Sequence, residues 1–253
     1  VIVAKKFYVV WKGRTPGIFT TWNECKAQVD GFAGAKYKSF PTQAEAEAAY
    51  SGKPSAVPVK PKGATKQAKP NALTQAQIDD MPYQVKIFTD GASEPNPGES
   101  GTGIAVYRDN KIDTLWYGLY QAMGTNNTAE LKGLHHALIM AKEVLAQGNT
   151  VAIYCDSKYS IDCITKWAKG WQKKGWTKSG GEIKNLDIIQ PAFELYQQIE
   201  ADIKIHHVNG HVGIEGNELA DRMSIVAIDT KEPALQHYQD TDDISEILAL
   251  RTG

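Results

Sequence analysis

Five side chains spread along this 253-residue chain have the chemistry to hold a hard cation and move a proton: Asp90, Glu130, Asp156, His211 and Asp221. Asp90 follows Val85-Lys86-Ile87-Phe88-Thr89, and Asp156 follows Val151-Ala152-Ile153-Tyr154-Cys155. Each run reads as a strand, so each carboxylate stands at a strand end. If the two strands are parallel neighbours, both acids leave one sheet edge, where ligand sites of α/β proteins form. Taken singly, Asp-Gly at 90–91 is an ordinary turn, and an Asp after a strand often caps a helix. Glu130 lies about 20° from Ala141 and about 40° from Leu134 around a helix, at the border of its apolar face. A carboxylate there is paired, hydrogen-bonded or metal-bound. The alternative is that Asn127-Thr128-Ala129-Glu130 works as an Asn-led capping box. Asp221 falls roughly 200° from Leu219, on the side that reads as solvated. His211 sits in Asn209-Gly210-His211-Val212-Gly213-Ile214-Glu215-Gly216-Asn217, whose glycines let the imidazole approach and leave a reaction centre; otherwise it is a solvated loop histidine.

These residues need a scaffold, and the pattern supplies one over 81–228. Strands are expected at Val85–Thr89, Gly103–Arg108 and Ile112–Tyr120, with an apolar, doubly covered strand at Val151–Cys155 and another at Ile203–His207. Helices are expected from Asn127 to about Gln147, with Leu131, Leu134, Leu138, Ala141 and Leu145 on one face, and around Tyr159–Ala168, Asn185–Ile199 and Gly216–Ile228. A mixed sheet with helices on its faces accounts for that order. Ahead of it, residues 1–51 read as a small ββαβα unit in which Thr21-Trp22-Asn23-Glu24 and Thr42-Gln43-Ala44-Glu45 open helices. Residues 52–80 carry five Lys and four Pro before Asp79 with no acid, the composition of an extended linker. Residues 229–253 read as an acidic tail in which Ile244, Ile247 and Leu248 support only a short amphipathic helix.

The net charge of −1 hides an asymmetry: residues 1–78 hold 12 Lys and Arg against 4 acids, and the remaining 175 hold 16 against 25. A basic arm on an acidic body suits a polyanion-binding module joined to a site that needs carboxylates. No run approaches the roughly 20 apolar residues of a membrane helix, which excludes that class. Cys25, Cys155 and Cys163 form no CxxC pair or even framework, so a reducing, cytoplasmic location is expected.

Together the motifs resemble a known family. Thr89-Asp90-Gly91-Ala92 with Asn96-Pro97-Gly98, Thr125-Asn126-Asn127-Thr128-Ala129-Glu130-Leu131, Asp156-Ser157, Gly210-His211 and Asn217-Glu218-Leu219-Ala220-Asp221 are similar to ribonuclease HI over about residues 84–228. The resemblance implies an α/β ribonuclease H fold, a five-stranded mixed sheet with helices on both faces, preceded by a small α+β hybrid-binding domain. It implies an endonuclease that cuts the RNA strand of RNA–DNA hybrids, with Asp90, Glu130, Asp156 and Asp221 holding two Mg²⁺ ions, for which Mn²⁺ can substitute. Hard ions of this kind prefer oxygen ligands, and a pair of them can activate water and stabilise the leaving 3′ oxygen. His211 is assigned proton transfer or help in product departure. Asn96, Thr125, Asn126 and Asn127 are expected along the substrate groove, near 2′-hydroxyls. Where the family often has a basic residue after its paired Asn, this chain has Thr128.

Two further segments are expected to grip nucleic acid. Lys166 to Lys184 contains six Lys and one acid, interleaved with Trp167, Trp171 and Trp176. It is similar to the basic protrusion of some ribonucleases HI, so Lys169, Trp171, Lys173 and Lys174 are assigned to the DNA strand. Phe7-Tyr8-Val9-Val10, Lys12-Gly13-Arg14, Gly17-Ile18-Phe19, Thr21-Trp22-Asn23-Glu24-Cys25, Gln28-Val29 and Tyr37-Lys38-Ser39-Phe40 resemble the hybrid-binding domain of ribonucleases H. That implies an aromatic surface of Tyr8, Trp22 and Tyr37, with Lys38 on a phosphate and Ser39 where some relatives have a second Lys. A place in the core is open for Trp11 but is not expected for Tyr8, Trp22 and Tyr37 all together. A 29-residue linker spans roughly 27–32 Å, enough for both units to share one duplex. The catalytic domain is expected to act as a monomer without a membrane partner.

Overall fold

The computed structural model describes residues 6–32, 34–51 and 73–253. The described residues form two compact units, residues 6–51 and residues 73–253. The first contains β1 (Phe7–Lys12), β2 (Gly17–Phe19), α1 (Trp22–Val29), β3 (Lys36–Phe40) and α2 (Gln43–Tyr50), the ββαβα order its sequence suggests. Its antiparallel sheet has the order β2-β1-β3. Thr21 and Glu24 close a full capping box at the start of α1, while Thr42 accepts only from the Glu45 amide ahead of α2. Central β1 is buried on both faces: Val10 packs with Cys25 and Val29, and Val9 is fully covered. Trp11 is not core. It is exposed, and its indole N–H donates to the Ala49 carbonyl.

The second unit begins earlier than its composition suggests. Thr74 and Gln77 form a capping box for α3 (Gln75–Asp79), whose Ile78 is fully buried. Lys86 reaches out of the sheet to donate to the Ile78 and Asp79 carbonyls and to Asn110 Oδ1, so a buried ammonium ties off the helix end. Residues 73–80 therefore belong to this unit rather than to a linker. The linker expectation for 52–72 lies outside the described residues.

The main sheet is built from β4 (Val85–Glu94), β5 (Gly98–Arg108) and β6 (Lys111–Gly124), followed by α4 (Asn126–Ala146) and β7 (Val151–Cys155). After β7 come α5 (Lys158–Asp162), a π turn (Cys163–Trp167), α6 (Ala168–Gln172), α7 (Leu186–Ile199), β8 (Ile203–His207) and α8 (Glu215–Thr230). Finally β9 (Gln236–His237) and α9 (Ile244–Leu248) fold back on the unit. The strand order is β8-β7-β4-β5-β6-β9, with β7 parallel to both β4 and β8 and the other pairs antiparallel. The sheet thus has six strands where five were expected. The extra strand comes from the segment read as a tail, paired through Trp116 with His237 and Tyr117 with Gln236.

One core forms where α4 and α7 cover the sheet with Leu131, Leu134, Leu138, Ile189 and Phe193. The other forms under α8, where Leu219 and Met223 meet Phe88, Tyr107 and Tyr154. Two glycines set the spacing of these layers. A Cβ on Gly91 would stand 2.4 Å from the Glu130 amide nitrogen, and one on Gly103 would stand 2.0 Å from the Ala220 carbonyl oxygen. Neither helix could approach the strands so closely over a larger residue.

Candidate active site

The parallel pairing of β4 with β7 ends at Thr89 opposite Cys155, so Asp90 and Asp156 emerge side by side. Strand β4 continues to Glu94, which makes Asp90 an interior strand residue, fixed opposite Gly103 of β5. Gly103 admits α8 on that face, bringing Asp221 over Asp90, and Gly91 admits α4 on the other, bringing in Glu130. The cleft they share, about 180 Å³, is lined by Asp90, Glu130, Asp156, His211, Asp221 and Asn126, among others. All five residues expected to do chemistry are brought together.

Two expectations about them change. The first turn of α4 is capped by Thr125, whose hydroxyl accepts from the Thr128 amide at 3.1 Å. An Asn127-led box is absent, which frees the Glu130 carboxylate for the cleft. Asp221 is only 3% exposed rather than solvated, because α8 is buried nearly all round between the sheet and the α9 segment.

Electrostatics in the cleft are strained by design. Asp90 is 7% exposed, and its Oδ1 accepts from the Gly91 amide at 2.7 Å. Burial first, then the neighbouring charges of Asp156 and Asp221, push its carboxyl well above the usual range. Glu130 is raised well above its ordinary value by burial and then by Asp90 and Asp156. Asp156 is raised by burial, against a lowering from the Asn217 side chain and smaller ones from His211 and His207. Such a cluster resists full ionisation until a cation offsets it.

The donor set fits a divalent ion. The buried Oδ1 of Asp156 has no hydrogen-bond partner, an orphan acceptor aimed into a site of carboxylates. Ligand atoms of Glu130, Cys155 and Asp156 lie within 4.8 Å of one another, as do those of His211, Glu218 and Asp221. The Cys155 thiol donates to Glu130 Oε2 at 3.7 Å. Burial keeps it well above its ordinary value, so the oxygens remain the available ligands.

Some participants were not assigned a role from the sequence, although Asn217 belongs to the block that ends at Asp221. Asn217 is buried, with its Oδ1 unpartnered, and its side chain bears on Asp156. Arg222 donates to Asp221 Oδ2 at 2.5 Å. Glu94 and Gly253 also line the cleft. An Asn after a glycine loop and an Arg in a helix look ordinary until the fold sets them beside the acids.

The groove residues surround the start of α4. Asn96 Oδ1 accepts from the Asn126 amide at 3.4 Å, and Asn96, Asn126 and Asn127 are exposed. Thr128 turns inward to Thr125 and Asn185 Oδ1. In the basic segment, Lys169, Lys173 and Lys174 are exposed, whereas Trp171 is half-buried against the core with Trp176. The Trp176 amide donates to the Trp171 carbonyl at 2.7 Å, so the tryptophans brace the lysines.

In the first unit, Trp22 sits between Tyr8 and Tyr37 at centroid distances of 5.7 and 5.8 Å. Trp22 and Tyr37 are 42% and 47% exposed. The pleat sets Lys38 on the other face of edge strand β3, its Nζ 5.8 Å from the Phe40 ring centre.

A mixed sheet that presents Asp90 and Asp156 at one end of β4 and β7, with Glu130 brought in by α4 and Asp221 by α8, defines the class, and comparison with known proteins assigns it. The chain belongs to the ribonuclease H family, whose RNase H model matches residues 82–228. A second model, the ribonuclease H1 N-terminal domain, matches residues 6–50. Ribonuclease H1 of Mus musculus is 32% identical, covering 86% of this chain and 87% of that one. Ribonuclease H of Acidovorax sp. (strain JS42) is 42% identical over 56% of this chain and 92% of its own length. Among solved structures, LC9-RNase H1 shares the fold with a TM-score of 0.51 at 22% identity, over 67% of this chain and 83% of that one. The protein is a ribonuclease of a generally metal-dependent family that hydrolyses the RNA of RNA/DNA hybrids.

Proposed function

We propose that this ribonuclease is an endonuclease that cuts the RNA strand of a hybrid with two Mg²⁺ ions, or Mn²⁺ in their place, leaving 5′-phosphate and 3′-hydroxyl ends. The observation that carries this reading is the convergence of Asp90, Glu130, Asp156 and Asp221 on one cleft with a buried, unpartnered Asp156 oxygen. Asp90, Glu130, Asp156 and Asp221 are the four carboxylates that would hold the ions. When bound, the ions supply an activated water and charge stabilisation at the scissile phosphate.

The chain's own groups do the rest. His211, exposed on its loop with a backbone φ of 53°, carries protons at the cleft mouth or helps product leave. Asn96, Asn126 and Asn127 read the RNA strand through its 2′-hydroxyls, and Thr125 fixes the helix start that presents them. Lys169, Lys173 and Lys174 contact DNA phosphates from the segment that Trp171 braces. Tyr8, Trp22 and Tyr37 offer an aromatic platform for the DNA strand, and Lys38, on the opposite face of edge strand β3, meets a phosphate only by reaching around that edge. All four acids come from one unit, so a monomer suffices. Three free cysteines suit a reducing, cytoplasmic compartment.

A hybrid with end-labelled RNA tests the reading. Internal cleavage in Mg²⁺ that is abolished by EDTA, with products that a ligase requiring 5′-phosphates will join, is the expected result. Cleavage indifferent to EDTA, or 3′-phosphate products, would overturn it.

A further inference from the structure

The segment Leu248–Gly253 crosses the cleft edge and engages the acids directly. The Gly253 amide donates to Asp221 Oδ1 at 3.1 Å while Arg222 donates to Oδ2, so each oxygen of Asp221 already accepts one hydrogen bond. Arg251 bridges Glu94, which lines the cleft, and Asp229 of α8, the latter at 2.7 Å. Arg222 also donates to the Leu248 carbonyl at 3.3 Å, and buried Ile247 anchors the segment from behind. Arg251 is the sole Lys or Arg between 232 and 253, among five acids, and it pairs with Glu94 at the rim of the cleft that Gly253 lines.

We propose that Leu248–Gly253 is a strap that substitutes for a divalent cation at Asp221 and must lift for the ion to bind. This rests on the two-ion reading above. An N–H donating to Asp221 Oδ1 reduces the charge that oxygen offers an ion, the backbone of Gly253 occupies space in the cleft, and the Arg251 guanidinium on Glu94 adds positive charge at its rim. Docking of the strap and cation occupancy at Asp221 oppose each other, so the docked fraction lowers apparent cation affinity. Arg222, fixed inside α8, stays in both states.

Two measurements on the full chain without hybrid test this. Mn²⁺ binding followed by electron paramagnetic resonance should be about three- to tenfold tighter for Arg251→Ala than for the unsubstituted protein, the range that one or two exposed ion pairs supply. Arg251→Lys should restore most of the weaker binding. Trypsin cleavage of the unsubstituted protein after Arg251, read by intact mass at constant ionic strength, should accelerate at least about fivefold at saturating Mn²⁺ as the strap lifts. Mn²⁺ affinity equal within twofold for Arg251→Ala, or cleavage after Arg251 unchanged by Mn²⁺, overturns the strap while leaving the two-ion reading intact. Absence of Mn²⁺ binding to every variant overturns the two-ion reading itself.

Discussion

The two units build their candidate sites by opposite violations of the same rule. The larger one buries carboxylates, with Asp90 and Asp221 under 10% exposed inside a scaffold with two well-filled cores. The smaller one exposes aromatics, with Trp22 and Tyr37 over 40% exposed on a scaffold whose central strand is its main core. Burying charge needs a rigid surround, because each acid is stable there only with partners at fixed distances. Exposing rings needs only a flat platform, which three strands and two helices supply. Function in each case stands where burial and polarity disagree. On the proposed reading the comparison also separates the jobs: chemistry where charge is concentrated, affinity where rings are offered.

Substitutions can break that division, and the largest effect is expected at its acidic pole. Asp90→Asn should abolish hybrid cleavage while hybrid affinity, measured by anisotropy, stays within about threefold. The loss removes a shared cation ligand but no groove contact. His211→Ala should slow single-turnover cleavage by about 10²–10⁴-fold, the usual contribution of a positioned proton carrier. Its Mg²⁺ concentration dependence should be unchanged; a lost metal requirement or failed metal binding would mark His211 as a ligand instead. At the aromatic pole, Trp22→Ala should weaken hybrid binding by the roughly 1–3 kcal/mol of one stacked base, about 5- to 150-fold.

The smallest effect concerns pH. Burial and mutual repulsion raise Asp90 and Glu130 in the folded protein. Without metal, the folded state therefore keeps protons that the unfolded chain releases near pH 4. That stabilisation is full below the unfolded values and is lost as pH rises through the raised folded ones. Mg²⁺ offsets the charges exposed by this loss. Melting in EDTA and in Mg²⁺ should show a larger Mg²⁺ gain at pH 8 than at pH 5, with each kcal/mol worth about 2–4 °C. An equal gain at both values would mean that the cluster is already ionised at pH 5.

Much of this arrangement was legible in the residues. Asp90 and Asp156 could be paired on the condition that the two strands ending at them are parallel neighbours, which their register confirms. Tyr8, Trp22 and Tyr37 could be grouped because the motifs around them resemble the hybrid-binding domain of ribonucleases H. Asp221 was hidden by geometry: periodicity from Leu219 assumes one buried face, and α8 is covered on a second face by the segment carrying α9. Gln236 and His237 give no strand signal, and only the edge of β6 recruits them. Residues 73–80 looked like linker because their one deep anchor, Ile78, is a single apolar residue whose partners lie elsewhere in the chain.

The division of labour is tested most directly by one four-protein comparison: the unsubstituted chain, Asp90→Asn, Trp22→Ala and the double variant. For each, the hybrid Kd and the single-turnover cleavage rate at saturating hybrid are measured together. Asp90→Asn should lose the rate and keep the Kd, Trp22→Ala should weaken the Kd and hold the saturated rate within about twofold, and the double variant should show both losses independently. A saturated rate that falls in Trp22→Ala as far as its affinity does, or near-normal turnover in Asp90→Asn, would contradict the account.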